Sequence, residues 1–280
     1  MFEIVKKEAL NPTVMRMDIK APLIAKKARA GQFIILRADE RGERIPLTVA
    51  GCDTEAGTVT IIFQIVGGVT MTLASLPQGG CVADFVGPLG TPTQIEGLKK
   101  VAVVGGGVGC AIALPVARAL HAQGTQVTSI VGFRNQDLVI LEQEFKEVSD
   151  RFFMMTDDGS YGEKGNVCVP LNRILESGET FDAVITIGPL IMMKFVAAAT
   201  KPYGIKTVAS MNPIMIDGTG MCGCCRVTVG GEMKFACVDG PDFDAHLIDF
   251  DEAMKRSRTY VEFEAKAREK HCNLFKKEVS

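Results

Sequence analysis

The run VAVVGGGVGCAIALP, residues 101–115, constrains the fold more than any other part of the chain. Apolar, mostly β-branched residues lead directly into glycines at positions 105, 106, 107 and 109, and helical spacing follows. This pattern predicts a buried strand that turns tightly into a helix. Strand-like segments (QVTSIVGFRN, FFMMTDD, FDAVITIGP) then alternate with helix-like ones (DLVILEQEFKEVSD, PLNRILESG, LIMMKFVAAATKPYG) up to about residue 210. Such alternation predicts a doubly wound α/β domain whose parallel sheet carries helices on both faces.

The segments on either side of this region have different patterns. Before it, short alternating runs such as TVTIIFQIV are broken by glycine and proline, which predicts an antiparallel β-barrel or sandwich with a single helix at VTMTLASL. After it, RVTVGGEMKFACV predicts a hairpin that turns at Gly230 and Gly231, and the charged tail DFDEAMKRSRTYVEFEAKAREK predicts a solvated helix. We therefore expect a β-barrel over 1–96, an α/β domain over 97–210 and a smaller C-terminal unit over 211–280.

Composition and charge exclude several classes of partner. The formal net charge is −2, which gives no reason to expect nucleic acid or an anionic membrane. The N-terminus lacks a signal-peptide pattern, and no run reaches the roughly 18 apolar residues of a membrane span. We expect a cytoplasmic protein, in which clustered cysteines are more often ligands or redox groups than disulfides. The five scattered cysteines are expected to be buried and the three histidines to lie at the surface: Cys52, Cys81, Cys110, Cys168, Cys272, His121, His246 and His271.

The glycine-rich turn is a candidate phosphate site. Glycine lets the backbone approach a pyrophosphate closely, and the following helix offers unpaired N–H groups with the positive end of its dipole. The spacing departs from G-x-G-x-x-G, because Cys110 and Ala111 follow Gly109. A tight turn without a ligand is the alternative. Two later turns, GFRN with Gly132 and Arg134 and TIGP with Gly188 and Pro189, would line the same crevice, where open α/β sheets bind ligands.

Two segments of the N-terminal region offer a second candidate site. ERIPLTVAG contains a strand with a hydroxyl group, and FQIVGGVT contains a turn into a helix whose first amides are free to hold a phosphate. From the residues alone, an ordinary strand and turn explain the pattern equally well.

The segment IDGTGMCGCCRVTV, residues 216–229, carries three cysteines within four positions, and Cys237 follows in FACVDGP. Plant-type [2Fe–2S] ferredoxins bind their cluster with C-x₄-C-x₂-C and a distant cysteine. This chain has D-x₄-C-x₂-C-x₁₁-C, with ligands Asp217, Cys222, Cys225 and Cys237. The glycines between them suit a loop that wraps a cluster, whose sulfur atoms need N–H donors.

Two other interpretations of the cysteines stay open. Cys224 could replace Asp217 as a ligand, although neighbouring residues 224 and 225 would point apart in an extended chain. Zinc is the second alternative, but structural zinc sites generally use two paired arms, and here the second arm is the single Cys237. The zinc interpretation corresponds to a non-catalytic interaction protein.

Taken together, the three regions in this order resemble the ferredoxin–NADP reductase superfamily. Within it, the chain is similar to the electron-transfer subunits of dihydroorotate dehydrogenase and, more closely, to the small subunits of NADH-dependent reduced ferredoxin:NADP oxidoreductase, also called sulfide dehydrogenase subunit beta. The most specific segments are RIPLT, GGGVG, TDDGSYGEKG and DGTGMCGCC…FACVDGP. In the dihydroorotate-linked subunits the first cluster ligand is cysteine, whereas an aspartate, as at Asp217, looks like the ferredoxin:NADP type.

The resemblance implies three cofactors. It places FAD on Pro46, Leu47, Thr48, Ile62, Phe63, Gln64, Val69 and Thr70, although the family's flavin-binding arginine is replaced by Ile45, with Arg44 one position earlier. It places NAD(H), with NADP(H) as the alternative, on Gly105, Gly106, Gly107, Val108, Gly109, Gly132, Arg134, Asp157, Gly188 and Pro189. After the second strand of the α/β region no basic cluster is present for a 2′-phosphate, which favours NAD(H).

The resemblance also implies partners and a reaction. Electrons would pass between NAD(H), FAD and the [2Fe–2S] cluster, and no side chain is a compelling general acid or base. A larger flavin and iron–sulfur subunit would receive the electrons, with ferredoxin reached through that subunit, in flavin-based electron bifurcation. The main alternative pairs the chain with an NAD-dependent dihydroorotate dehydrogenase.

Overall fold

The computed structural model describes residues 1–40, 42–266 and 269. Its N-terminal part is a curled antiparallel sheet. Its strand order is β6-β1-β2-β5-β4-β3-β7. The edge strands β6 and β7 are separated in sequence by Ala83 alone, which draws the two edges together and curls the sheet. The prediction of an antiparallel barrel is confirmed. The elements are β1 (Phe2–Asn11), β2 (Val14–Lys20), α1 (Pro22–Ala25), β3 (Phe33–Arg37), β4 (Arg44–Asp53), β5 (Thr58–Gln64), α2 (Gly68–Ser75), β6 (Cys81–Val82) and β7 (Asp84–Leu89).

The second sheet is parallel except at one edge, in the order β11-β10-β9-β8-β12-β13-β16. Strand β16 comes from the C-terminal segment and pairs antiparallel with β13. Strands β14 and β15 form the predicted hairpin, with Gly230 and Gly231 between them. The strands are β8 (Lys100–Gly106), β9 (Gln126–Phe133), β10 (Arg151–Thr156), β11 (Glu163–Lys164), β12 (Ala183–Ile187), β13 (Thr207–Ser210), β14 (Arg226–Val229), β15 (Glu232–Phe235) and β16 (Asp242–Asp244).

Helices cover both faces of this sheet, as the alternation of strands and helices predicted. They are α3 (Cys110–Ala122), α4 (Glu142–Glu147), α5 (Cys168–Glu176), α6 (Leu190–Thr200) and α7 (Phe250–Ser257). In β8, Val101 and Val103 pack in the same apolar cluster as α3, whereas Ala102 and Val104 pack with α5 and α6 on the other face. All four side chains are fully buried, as expected for a strand inside a doubly wound sheet.

The structure corrects the predictions for two helices and for two of the scattered cysteines. The helix predicted over 137–150 is reduced to α4, because Leu141 adopts a left-handed φ of 59°, and Ile140 and Leu141 are buried in the irregular segment before the helix. The predicted tail helix is interrupted: α7 ends at Ser257, and helical structure resumes at 261–266. Cys52 and Cys81 were predicted to be buried and are exposed, since both lie in strand ends that face solvent.

The remaining scattered cysteines and the histidines agree only in part with their predicted burial. Cys110 is buried as predicted, and Cys168 is half-buried. His121 is exposed as predicted, but His246 is half-buried with Nε2 3.1 Å from Thr200 Oγ1, so the expectation of a surface residue was wrong there. His271 and Cys272 lie outside the described residues. None of the helices in the described parts of the chain is long and apolar enough to cross a membrane.

Candidate functional site

A cavity of about 910 Å³ opens at the carboxyl edge of the parallel sheet. Strands β9 and β10 extend from β8 in one direction and β12 and β13 in the other, so the cavity lies at the point where open α/β sheets bind ligands. Every residue predicted for the nucleotide except Gly105 lines it: Gly106, Gly107, Val108, Gly109, Gly132, Arg134, Asp157, Gly188 and Pro189. The curled sheet supplies the opposite wall through Asn11, Thr13, Val14 and Gln64.

The glycines at the β8–α3 turn allow an unusually close approach between α3 and β12. A Cβ atom on Gly109 would lie 2.5 Å from the Ile187 carbonyl oxygen and 2.7 Å from the Gly188 Cα. Gly107 has a φ of +55°, in the left-handed region that glycine occupies without strain. A 3₁₀ turn, Gly107–Gly109, leads into α3, and the Cys110 N–H is bonded to carbonyl groups of that turn. No side chain caps the turn, so the amides nearest the cavity are those of Gly107, Val108 and Gly109.

Two charged side chains stand among the described lining residues, Arg134 and Asp157, and both are exposed. They follow β9 and β10 at the same edge, as the sequence predicted. The Asp157 N–H donates to the Phe133 carbonyl at 3.0 Å, and the Asp158 N–H donates to the Arg134 carbonyl at 3.3 Å. These bonds fix the two loops to each other and present one cation and one anion to a ligand.

The residues predicted for FAD are divided between the surface and the core of the curled sheet. Pro46, Leu47 and Thr48 lie half-buried on β4, while Ile62 and Phe63 are buried on β5 with little side-chain surface to offer a ligand. Gln64 ends β5 and reaches the cavity. Val69 and Thr70 form the first turn of α2, where Thr70 Oγ1 accepts the N–H groups of Val66 and Gly67, both at 3.0 Å.

The cysteine segment forms a loop between β13 and β14. The sulfur atoms of Cys225 and Cys237 are buried and lie 3.2 Å apart. Cys222 is exposed, and its carbonyl oxygen lies 4.0 Å from the Sγ atom of Cys224. The loop therefore contains three of the predicted ligands, Asp217, Cys222 and Cys225, together with Cys224. The fourth predicted ligand, Cys237, follows β15 and meets the loop at Cys225.

Asp217 organises this loop through one oxygen. Its Oδ2 accepts the Thr219 hydroxyl at 2.6 Å, the Thr219 N–H at 2.9 Å and the Met221 N–H at 3.2 Å. The hydrogen bond from the Thr219 hydroxyl is the main cause of the lowered pKa of Asp217, and the charge of Arg44 makes the smallest contribution. All three bonds go to Oδ2, so none of these donors occupies Oδ1.

The thiols of the loop are held in contrasting environments. Backbone N–H groups, first that of Cys224 and then that of Asp217, lower the pKa of the Cys222 thiol. Burial, together with the neighbouring Cys225, raises the pKa of Cys237 to about 12. Burial also raises the pKa of Cys224.

The donor types and their order along the chain match a two-iron cluster. Within the described residues, no three Cys, His, Asp or Glu side chains are arranged to hold one metal ion. Cys225 and Cys237 form a buried pair of thiols, and Asp217 and Cys222 lie five residues apart in the loop that leads to them. Two protein ligands for each iron is the arrangement of a [2Fe–2S] cluster, and N–H donors to sulfur stabilise it.

The loop packs directly on the curled sheet. A Cβ atom on Gly218 would lie 2.8 Å from Leu89 Cδ1 and 2.9 Å from Ile35 Cγ1, so the loop contacts β3 and β7. Strand β3 pairs with β4 in the register Phe33 to Thr48. The cysteine loop and the segment predicted for FAD therefore share one wall of the sheet.

Sequence reasoning missed two arginines at this loop. Arg226 Nη1 donates to the Gly223 carbonyl at 2.7 Å, and Arg256 Nη2 donates to the Cys224 carbonyl at 3.3 Å. Arg226 directly follows the cysteines and could have been noticed. Arg256 is 32 residues away from its partner in a charged helix, and nothing in the local sequence indicates the contact.

A protein-family model matches the segment that contains the cysteine loop. A model of the iron–sulfur cluster binding domain of dihydroorotate dehydrogenase B matches residues 212–249, which contain all the candidate ligands. Over 262 residues the chain is 45% identical to a dihydroorotate dehydrogenase B (NAD⁺) electron transfer subunit homolog of Thermotoga maritima, covering 94% of this chain and 92% of that protein. The chain belongs to the dihydroorotate dehydrogenase B electron-transfer subunit family.

Two further proteins are similar to the chain over nearly its whole length. The chain is 51% identical over 275 residues to an uncharacterized protein in the adh 3′ region of Clostridium beijerinckii, covering 95% of this chain and 93% of the other. It is similar to a chain in the structure of an NADH-dependent reduced ferredoxin–NADP oxidoreductase that gave insights into flavin-based electron bifurcation. That match has a TM-score of 0.91 and 44% identity, and covers 96% of this chain and 97% of the other. The predicted resemblance and fold class are confirmed.

Proposed function

We propose that this electron-transfer subunit moves electrons between NAD(H), FAD and a [2Fe–2S] cluster and exchanges them with a larger flavin and iron–sulfur subunit. The observation that carries the proposal is the position of the curled sheet. It contributes Gln64 to the cavity at the glycine turn, and it packs against the cysteine loop through Ile35 and Leu89. A carrier held on this sheet would have a nucleotide on one side and a cluster on the other.

Within the cavity, the chain's residues bind and orient the nucleotide. The uncapped turn Gly107–Gly109 would present its N–H groups, and α3 behind it the positive end of its dipole, to a pyrophosphate. Arg134 and Asp157 stand where a ribose or its phosphate would lie. Gln64, from the opposite wall, would meet the nicotinamide end.

On the curled sheet, we assign the flavin to Pro46, Leu47 and Thr48 of β4 and to Val69 and Thr70 of α2, with the backbone of Ile62 and Phe63 leading to Gln64. When bound, the flavin supplies the conversion between two-electron hydride transfer and one-electron transfer. At the loop, Cys222, Cys225, Cys237 and Asp217 hold the cluster. Cys224 serves as the alternative fourth ligand.

We assign the ferredoxin:NADP type of reaction, with bifurcation through the larger subunit and ferredoxin as the remote carrier. The aspartate at the first ligand position and the 44% identical oxidoreductase chain support this choice. A dihydroorotate dehydrogenase partner is the second candidate, and the family model over 212–249 favours it. A cytoplasmic location stays a prediction.

Anaerobic purification with any bound partner tests the proposal. The visible spectrum and the iron, sulfide and zinc contents report the cofactors, and titration with NADH and then NADPH reports which nucleotide reduces flavin and cluster. Flavin peaks, about two irons per chain and reduction by NADH are expected. A colourless protein that contains zinc would instead support the interaction-protein alternative. Co-purification with a pyrimidine-pathway dehydrogenase would favour the second candidate.

A further inference from the structure

Two cations bond the cysteine loop at adjacent carbonyl groups. Arg226 Nη1 lies 2.7 Å from the Gly223 oxygen, and Arg256 Nη2 lies 3.3 Å from the Cys224 oxygen. Both carbonyls lie in the peptide that joins Cys222 to Cys225. The two arginines therefore bond consecutive peptide groups between two candidate cluster ligands, Cys222 and Cys225.

The two arginines differ in their environment. Arg226 is exposed, so solvent weakens the field of its charge. Arg256 is half-buried, and its helix is fixed to the loop region: Phe250 is buried, and the Asp249 N–H donates to the Thr228 carbonyl of β14 at 2.9 Å. A rigid, partly desolvated cation acts more strongly on a nearby charge than a mobile, exposed one.

A cluster in this loop would be strongly negative. Three thiolates and a carboxylate supply four negative charges, and reduction adds one more electron. A fixed positive charge favours the reduced form, and hydrogen bonds around the sulfur ligands are known to adjust the potential of such clusters.

We propose that Arg256 is a positioning residue that raises the reduction potential of the cluster, with Arg226 in a weaker supporting role. The inference rests on the proposed function, because it requires the cluster. Arg256 acts through the Cys224 carbonyl: it orients the peptide groups of the loop and places its charge beside the ligand set.

The expected effect follows from Coulomb's law. A unit charge at roughly 10 Å, with an effective dielectric constant of about 20 to 40, changes the equilibrium constant for adding one electron by about 4- to 16-fold. At 59 mV per tenfold for one electron, this corresponds to about 35 to 70 mV. Removal of the Arg256 charge should lower the potential by this amount.

The test is an anaerobic redox titration of the full chain, with any bound partner, followed by the electron paramagnetic resonance signal of the reduced cluster. Arg256→Gln keeps an N–H donor and removes the charge, and Arg256→Lys keeps the charge. Arg258→Gln is the matched control, since Arg258 is exposed near the same helix end and has no bond to the loop in the described contacts. Arg226→Gln tests the supporting role.

We expect Arg256→Gln to lower the midpoint by about 35 to 70 mV, Arg256→Lys to stay near wild type, and Arg258→Gln to shift by less than half as much. Equal shifts in Arg256→Gln and Arg258→Gln, or in Arg256→Gln and Arg256→Lys, would overturn the inference. If Arg256→Gln does not retain a cluster, Arg226→Gln decides: a smaller downward shift supports the inference, and no shift refutes it.

Iron and sulfide analysis of the wild-type protein comes first. A wild-type protein without a cluster contradicts the proposed function, whereas unchanged potentials in cluster-containing variants contradict only the role of Arg256.

Discussion

Replacement of Gly109 by alanine should damage both stability and nucleotide binding. The added Cβ would lie 2.5 Å from the Ile187 oxygen, 2.7 Å from the Gly188 Cα and 2.9 Å from the Ile187 carbonyl carbon. All three are backbone atoms, so no flexible side chain can move away. The first turn of α3 must shift by several tenths of an ångström from β12, between two buried elements. Overpacking of this kind costs about 1–3 kcal/mol.

Two measurements report the effect. At about 2–4 °C per kcal/mol, the melting temperature should fall by about 2–12 °C. The displaced α3 amides should also weaken NADH binding by about tenfold, the equivalent of one charge-assisted hydrogen bond. Gly51→Ala is the matched control, because its Cβ would meet Thr60 at an ordinary 3.7 Å without a positive φ. If Gly109→Ala melts and binds NADH like Gly51→Ala, the close approach of helix and strand does not position the nucleotide.

Three further predictions concern ionisable groups. Asp217→Cys should keep a two-iron cluster with a changed potential, and Cys224→Ser should leave the cluster intact; loss of iron from the Cys224 variant would reverse the ligand assignment. Asp242 accepts a hydrogen bond from Thr93 Oγ1, and burial raises the pKa of its carboxyl group. The folded state therefore keeps a proton that the unfolded state releases above about pH 3.9. The free energy of unfolding consequently falls as the pH rises above that value. Asp242→Asn should therefore melt higher than wild type at pH 8 and similarly at pH 4, and an advantage that does not grow with pH would contradict this. The pKa of Glu179 is lowered, chiefly by Arg151, so its stabilising effect is present above about pH 4.3 and is lost on acidification; Glu179→Gln should lower the melting temperature at pH 7 more than at pH 3, and equal losses at both values would refute the linkage.

The parts of the fold that sequence reasoning predicted are those with local causes. The glycine turn after β8 and the hairpin at Gly230–Gly231 are specified by neighbouring residues, and the structure confirms both. Strand β16 was missed because Asp242–Asp244 is too short to show a strand periodicity and pairs with β13, more than 30 residues earlier. The helix over 137–150 was overextended because apolar residues of a buried loop imitate helical spacing.

The residues of the candidate site likewise divide into those predictable from local sequence and those that only the packing of distant segments brings together. The turns at Gly132, Arg134 and Gly188 could be assigned to one crevice because the carboxyl ends of parallel strands always meet at one edge. Asn11 and Thr13 join that crevice from the β1–β2 turn, and only the packing of the two sheets brings them there. The contact of Arg256 with the cysteine loop likewise depends on where α7 docks.

Strand β16 has a consequence for engineering this family. It pairs Asp242 with Ser210, a residue that lines the nucleotide cavity, and it follows closely after Cys237. The spacing between cavity and cysteine loop is thus set by a hydrogen-bonded ladder rather than by a linker. A chimera that exchanges the loop must carry Asp242–Asp244 with it, because the open edge of β13 would otherwise present unpaired backbone groups to other chains. A redesign of the cysteine loop therefore also changes the edge of the sheet that carries the cavity.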